Sequence, residues 1–71
     1  MAEITYEIVE HITVLSTGKT GWTKEVNLIS WNGGDAKVDI REWSPDHSRM
    51  GKGVTLTMDE LETLMDAFSN K

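Results

Sequence analysis

Trp31-Asn32-Gly33-Gly34-Asp35-Ala36-Lys37-Val38-Asp39-Ile40-Arg41-Glu42-Trp43 is the stretch that fixes how the rest of the chain must be arranged. Two strand-like runs meet at Asn32-Gly33-Gly34-Asp35, whose central glycines can take positive φ without a Cβ penalty. Beyond that turn, Ala36, Val38 and Ile40 alternate with Lys37, Asp39, Arg41 and Trp43. One face of the strand is therefore apolar, and the other carries cations and an indole. Upstream, Trp22 to Trp31 reads as the partner strand, with Val26 and Leu28 on one face and Asn27, Ile29 and Trp31 on the other.

Outward from this hairpin the chain supplies two more strands and a helix. From Glu3 to Ser16 the even positions Ile4, Tyr6, Ile8, Ile12 and Val14 are apolar, interrupted by Glu10 and with Val9 and Leu15 on the opposite parity, a period of two that reads as one long or bent strand. Gly18-Lys19-Thr20-Gly21 has turn composition, Ser44 to Lys52 is a polar loop, and Gly53 to Leu56 returns as a fourth strand. Thr57-Met58-Asp59-Glu60 fits a capping box, and its acidic residues suit the positive end of a helix dipole. Leu61, Leu64, Met65 and Phe68 follow at i, i+3, i+4 and i+7, an apolar stripe, and Asn70 stops the helix. The expected class is α+β: four antiparallel strands, then one C-terminal helix. One helix covers one sheet face, through Val26, Leu28, Ala36, Val38 and Ile40. The other face is left holding Trp31, Trp43, Lys37 and Arg41 in the open.

Composition narrows the functions available. With 71 residues the chain makes one domain, 1–71, with no room for a separate catalytic domain or an enclosed ligand pocket of about 300 Å³ or more. Zero cysteines exclude a disulfide framework and a thiolate metal cluster. No apolar run approaches the roughly 18 residues of a membrane span. Met1-Ala2-Glu3-Ile4-Thr5 has neither the basic start nor the apolar core of a signal peptide, which leaves the cytoplasm as the expected location. A domain of this size is marginal by itself, and the helix stripe offers both core and self-association contacts.

The net charge of −5 hides an uneven distribution. Six of the seven basic residues, Lys19, Lys24, Lys37, Arg41, Arg49 and Lys52, fall between positions 15 and 52, while both ends of the chain are acidic. Phosphate binding answers to the local field of one face rather than to the sum. Indole rings beside cations on one sheet face are what single-strand binders use, the rings stacking on unpaired bases and the cations following phosphates. The same two tryptophans could instead cover a second small core or a dimer contact, since large aromatics usually mean burial. Asp39 could pair with Lys37 or Arg41. His11 and His47, 36 positions apart, read as surface or turn residues, too few for a transition-metal site. Asp46 and Asp59 have local turn and cap roles open to them, Ser30 and Ser48 lack a base, and Gly51-Lys52-Gly53 is too short for a phosphate-binding loop.

Lys37-Val38-Asp39-Ile40-Arg41-Glu42-Trp43, a polar loop, Gly51-Lys52-Gly53-Val54-Thr55-Leu56 and an acidic-capped helix together resemble the single-stranded-DNA-binding core of the transcriptional positive cofactor four family. Gly21-Trp22-Thr23-Lys24-Glu25, Ser30-Trp31-Asn32-Gly33 and Pro45-Asp46-His47 are similar to its bacterial YdbC-type branch. The resemblance runs from about Trp22 to Phe68. It implies a curved four-stranded antiparallel sheet and a helix, paired as a homodimer, with single-stranded DNA crossing the sheet faces. Trp31 matches an aromatic that stacks on bases; Arg41 and Lys52 match phosphate-contacting positions, and Lys24 another basic one. Trp43-Ser44 stands where eukaryotic members carry two aromatics, and their serine- and lysine-rich N-terminal region has no counterpart here. The reading is a homodimeric single-stranded-DNA-binding protein with little sequence preference, related to transcription regulation, nucleoid-associated or free in the cytoplasm. It needs no cofactor, performs no catalysis, and could accept RNA. Lys19, Trp22, Lys24, Trp31, Lys37, Arg41, Trp43, Arg49 and Lys52 form its expected nucleic-acid surface, and Leu61, Leu64, Met65 and Phe68 its core and dimer contacts. The alternative is a protein-binding adaptor that presents the same tryptophans as an interaction patch.

Overall fold

The computed structural model describes residues 5–71. Strands β1 (Tyr6–Thr17), β2 (Thr23–Trp31), β3 (Ala36–Trp43) and β4 (Met50–Leu56) pair antiparallel in sequence order, and helix α1 (Met58–Ser69) follows. The expected α+β architecture is present; Glu3 and Ile4 of the expected first strand lie outside the described residues.

Local chemistry sets the boundaries. The β2–β3 turn is closed by Asn32 (φ 52°) and Gly33 (φ 75°), with the Gly34 N–H donating to the Trp31 carbonyl at 2.9 Å. The left-handed pair is thus Asn-Gly, not the two glycines, because asparagine tolerates that conformation and its side chain has a second use. Asn32 Oδ1 accepts from the Thr5 N–H at 2.9 Å and the Asn32 N–H donates to the Thr5 carbonyl at 2.7 Å, tying down the start of β1. The fourth strand begins at Met50, three residues before the expected Gly53, because Met50 pairs with Trp43 across an irregularity opposite Glu42. At Gly53 the strands approach so closely that a Cβ would collide with the Ile40 carbonyl and the Arg41 Cβ. The capping box forms as expected: Thr57 Oγ1 accepts from the Glu60 N–H and Glu60 Oε1 from the Thr57 N–H.

The period-two reading of the first strand fails for a definite reason. Register shifts fall between Ile8 and Glu10, His11 and Thr13, and Val14 and Ser16, so Val9, Ile12 and Leu15 have no partner on β2. Each extra residue resets the alternation. Tyr6, Ile8, His11 and Val14 therefore stand opposite Trp31, Ile29, Asn27 and Glu25, and His11 occupies the place the pattern gave to Ile12.

Bulges bend a strand and strengthen its twist, and side-chain distances show how far the sheet curls. Trp31 pairs with Tyr6 and Trp43 with Thr23, at opposite ends of β2. A flat strand would hold those ends about 26 Å apart. Yet the Tyr6 ring centroid lies 5.7 Å from both indoles. The face bearing Trp31, Lys37, Arg41 and Trp43 is consequently concave and folded onto its own side chains.

The opposite face is only partly covered. α1 lies against β3 and β4, Val38 is buried, and Val26, Leu28, Ala36 and Ile40 are half-buried. Of the helix stripe only Leu61 is half-buried; Leu64, Met65 (59% exposed) and Phe68 (68% exposed) are not core residues of the single chain. Twelve helical residues span about 18 Å and cannot reach across four strands.

Gly53→Ala should lower unfolding free energy by roughly 1–3 kcal/mol or more, as overpacking does. Gly33→Ala, which meets no atom, should cost only the left-handed penalty of about 1–2 kcal/mol. Urea titrations of the two variants give the comparison.

Candidate nucleic-acid interface

The floor of the concave face is polar, which is unusual for the inside of a small sheet. Glu25, Asn27 and Asp39 are buried there beside Ile29 and Trp43. Each buried polar group has partners. Asp39 accepts two bonds from Arg41, Nε at 2.6 Å and Nη2 at 2.8 Å, and a third from Thr55 Oγ1 at 3.0 Å. The pairing is charge-assisted and bidentate, the strongest class available to a carboxylate. Arg41 in turn lies over the Trp31 ring, 4.9 Å from its centroid.

Glu25 is served by β2 and by two other elements. Thr23 Oγ1 donates to Glu25 Oε2, the His47 ring nitrogen Nε2 sits 2.9 Å from the same oxygen, and Asn27 Nδ2 is 3.4 Å from Oε1. His11 Nδ1, on β1, is 2.7 Å from Asn27 Oδ1 and 3.7 Å from Glu25 Oε1. Burial pushes the Glu25 carboxyl up, but hydrogen bonds from Thr23 and Asn27, with the charge and bond of His47, outweigh it and hold the group below its ordinary 4.5. Both histidines are exposed, as expected, His47 in a turn, and both also lean on one buried carboxylate. In the β3–β4 loop, Asp46 is held down to about 2 by bonds from the Ser48 N–H and hydroxyl and the Ser44 hydroxyl, which form the turn that presents His47.

The expected surface residues separate into groups. Trp31, Lys37, Arg41 and Trp43 share the concave face, as their parity requires. Their exposure differs from expectation. Trp43 is fully buried (0%), stacked on the His47 ring at 5.4 Å and touching Tyr6, so it cannot present a free face to a base. Trp31 and Arg41 are half-buried, and Arg41 is already neutralised by Asp39. Lys37 is exposed. Lys24 is exposed on the opposite face, with the parity of Val26 and Leu28. Lys19 and Arg49 lie in two loops at one end of the sheet, where Pro45 lies against Gly21, and Lys52 is exposed on β4. Trp22 is half-buried beside the β1–β2 turn, its carbonyl accepting from the Gly18 N–H at 2.7 Å. Among the described residues none of Lys19, Lys24, Lys37, Arg49 and Lys52 forms an ion pair. The indole N–H groups of Trp31 and Trp43 are buried without an acceptor.

Sequence reasoning missed Tyr6 as the ring joining the two indoles, and Glu25, Asn27 and both histidines as one group. Glu25 and Asn27 share parity with Ile29 and Trp31, which was the available signal; the bulges that bring His11 to them leave none. The expectation concerned an enclosed pocket, and the hollow observed is open to solvent. A half-open cleft of about 460 Å³ lies between Ile8, His11 and Val14 on one side and Pro45 and His47 on the other, above Glu25 and Asn27.

A small α+β protein whose curled sheet gathers aromatic rings and cations on its concave face is the class these features define. The chain belongs to the family described as Transcriptional Coactivator p15 (PC4), which matches residues 18–67. An uncharacterized protein of Treponema pallidum (strain Nichols) is 51% identical over 65 residues, covering 92% of this chain and 76% of that relative.

Two outcomes follow from the burial pattern. Trp43→Ala should cost about 3–5 kcal/mol of stability, as deletion of a buried large aromatic does, seen as an early urea midpoint. The depressed Glu25 value means that its contribution is complete above pH 4.5 and is lost as pH falls through the lower folded value. Thermal melts of Glu25→Gln should accordingly lose less stability below pH 4.5 than those of the native chain.

Proposed function

We propose that the protein is a homodimeric single-stranded-DNA-binding protein with little sequence preference, acting in transcription regulation in the cytoplasm and performing no catalysis. The observation that carries this reading is the half-exposed rim where Tyr6 and Trp31 meet beneath Arg41, with Lys37 on the same face. Membership of a coactivator family supports it. Unpaired bases offer π-faces to such rings, whereas duplex DNA keeps them stacked inside. Lys19 and Arg49 of the two loops and Lys52 of β4 are exposed without an ion pair among the described residues and are available to phosphates. The two buried indole N–H groups are donors that an acceptor-rich ligand can satisfy after a small shift. Trp43 acts here as the wall that holds Tyr6, not as a stacking surface.

The helix stripe supports the dimer. Met58, Leu64, Met65 and Phe68 are exposed apolar side chains on one short helix, and Val54 of β4 is exposed as well. A second copy burying this surface supplies the core that a domain of this size lacks. In the adaptor reading another protein, rather than a strand, occupies the patch around half-buried Trp31.

Oligo-dT should quench the tryptophan fluorescence, with duplex of equal length binding much more weakly. The logarithm of the binding constant should fall against log salt with a slope of about −0.7 per phosphate contacted. Trp31→Ala should weaken binding by roughly 1–3 kcal/mol. Unquenched fluorescence with undiminished partner capture would favour the adaptor. Phe68→Asp should convert a dimer to a monomer in sedimentation equilibrium.

A further inference from the structure

We propose that the cleft between β1, β2 and the Ser44–Arg49 loop receives the edge of one unpaired base, guanine before thymine, on the carboxylate of Glu25. The inference rests on the single-strand reading above and adds a base preference to it. Its volume of about 460 Å³ falls within the range of small-molecule sites. Ile8, Val14 and Pro45 give it apolar walls suited to a flat ring, and the rim histidines can flank that ring.

Glu25 chooses the ligand. An ionised carboxylate has about four acceptor positions. Oε2 is occupied by Thr23 and His47, but Oε1 has only Asn27 Nδ2 at 3.4 Å and His11 Nδ1 at 3.7 Å. A buried oxygen so loosely held favours an incoming N–H donor. Guanine carries N1–H and an amino group side by side on one edge. Thymine carries a single N–H between two carbonyls, which the carboxylate repels. A bare cation is the poorer fit, since no three acidic or histidine groups among the described residues are set to hold a metal.

A second feature points to the same place. His47 has φ 61°, a left-handed conformation rare outside glycine, and it is held there by its contact with Glu25 and its stack on Trp43. Strain of this kind collects at functional sites. Because Trp43 also touches Tyr6, the cleft adjoins the rim where the strand is proposed to pass.

The test is fluorescence-quenching titration with oligo-dT and with the same oligonucleotide carrying one central dG. The native protein should bind the dG-containing strand about fivefold tighter or more, the lower end for one base-edge contact. Glu25→Gln should abolish the difference while keeping the affinity for oligo-dT. Val14→Phe, which fills the cleft from the β1 position opposite Glu25 while leaving the carboxylate in place, should do the same and decides the matter if Glu25→Gln does not fold. Equal affinity of the native protein for the two strands overturns the inference and leaves the single-strand reading intact, as does a preference that survives Val14→Phe. Failure to bind either strand overturns both.

Discussion

The bidentate pairing of Asp39 with Arg41 is the contact on which the concave face depends. Asp39 has no exposure to water, and a buried carboxylate stripped of its partner typically costs about 3–5 kcal/mol. Thr55 adds a bond from β4, so one side chain joins the last two strands. The guanidinium that satisfies Asp39 also lies over the Trp31 ring, 4.9 Å from its centroid, beside that indole at the rim. Charge satisfaction and ring placement are thus one requirement. Arg41 orients the aromatic surface, while the exposed positive charge on the same face is that of Lys37.

The curl that encloses this pair has its source in β1. Three extra residues in twelve force the strand to bend, and the bend carries Tyr6 onto both indoles. The concave side is thereby filled with side chains that a flat sheet would expose, Trp43 above all. What the fold gains there it lacks on the other side: a helix of three turns leaves much of its apolar stripe uncovered. The molecule therefore has two unfinished surfaces of different chemistry. One is aromatic and cationic, and the other is the apolar stripe of α1 that ends at Phe68.

Much of this was readable from residues. The turn at Asn32–Asp35, though its left-handed pair falls one residue earlier than expected, the alternation from Ala36 to Trp43 and the Thr57–Glu60 capping box are local signals, and the sheet order and helix follow from them. Face assignment on β2 and β3 was right as well, since alternation survives where pairing is regular. Burial was misread, because parity states which residues share a face and not whether that face is open. Trp43 looked like a binding residue for this reason. On β1 even parity failed: a bulge has no sequence signature of its own, and Ile12 fits a period of two as well as it fits the bulge it occupies. Lys24 was grouped with the other cations by proximity in the chain, whereas its register puts it on the opposite face. His11, Glu25 and His47 meet only because of the bulges and the β3–β4 loop, and no spacing along the chain announces that.

The concave face as the nucleotide-bearing surface is tested most directly by mapping amide and indole N–H chemical shifts while oligo-dT is added to labelled protein. The shifts should concentrate on the indole N–H groups of Trp31 and Trp43 and on the backbone of Tyr6, Lys37 and Arg41. Shifts confined to α1, or to the opposite-face positions Glu7, Glu10 and Thr13, would contradict it.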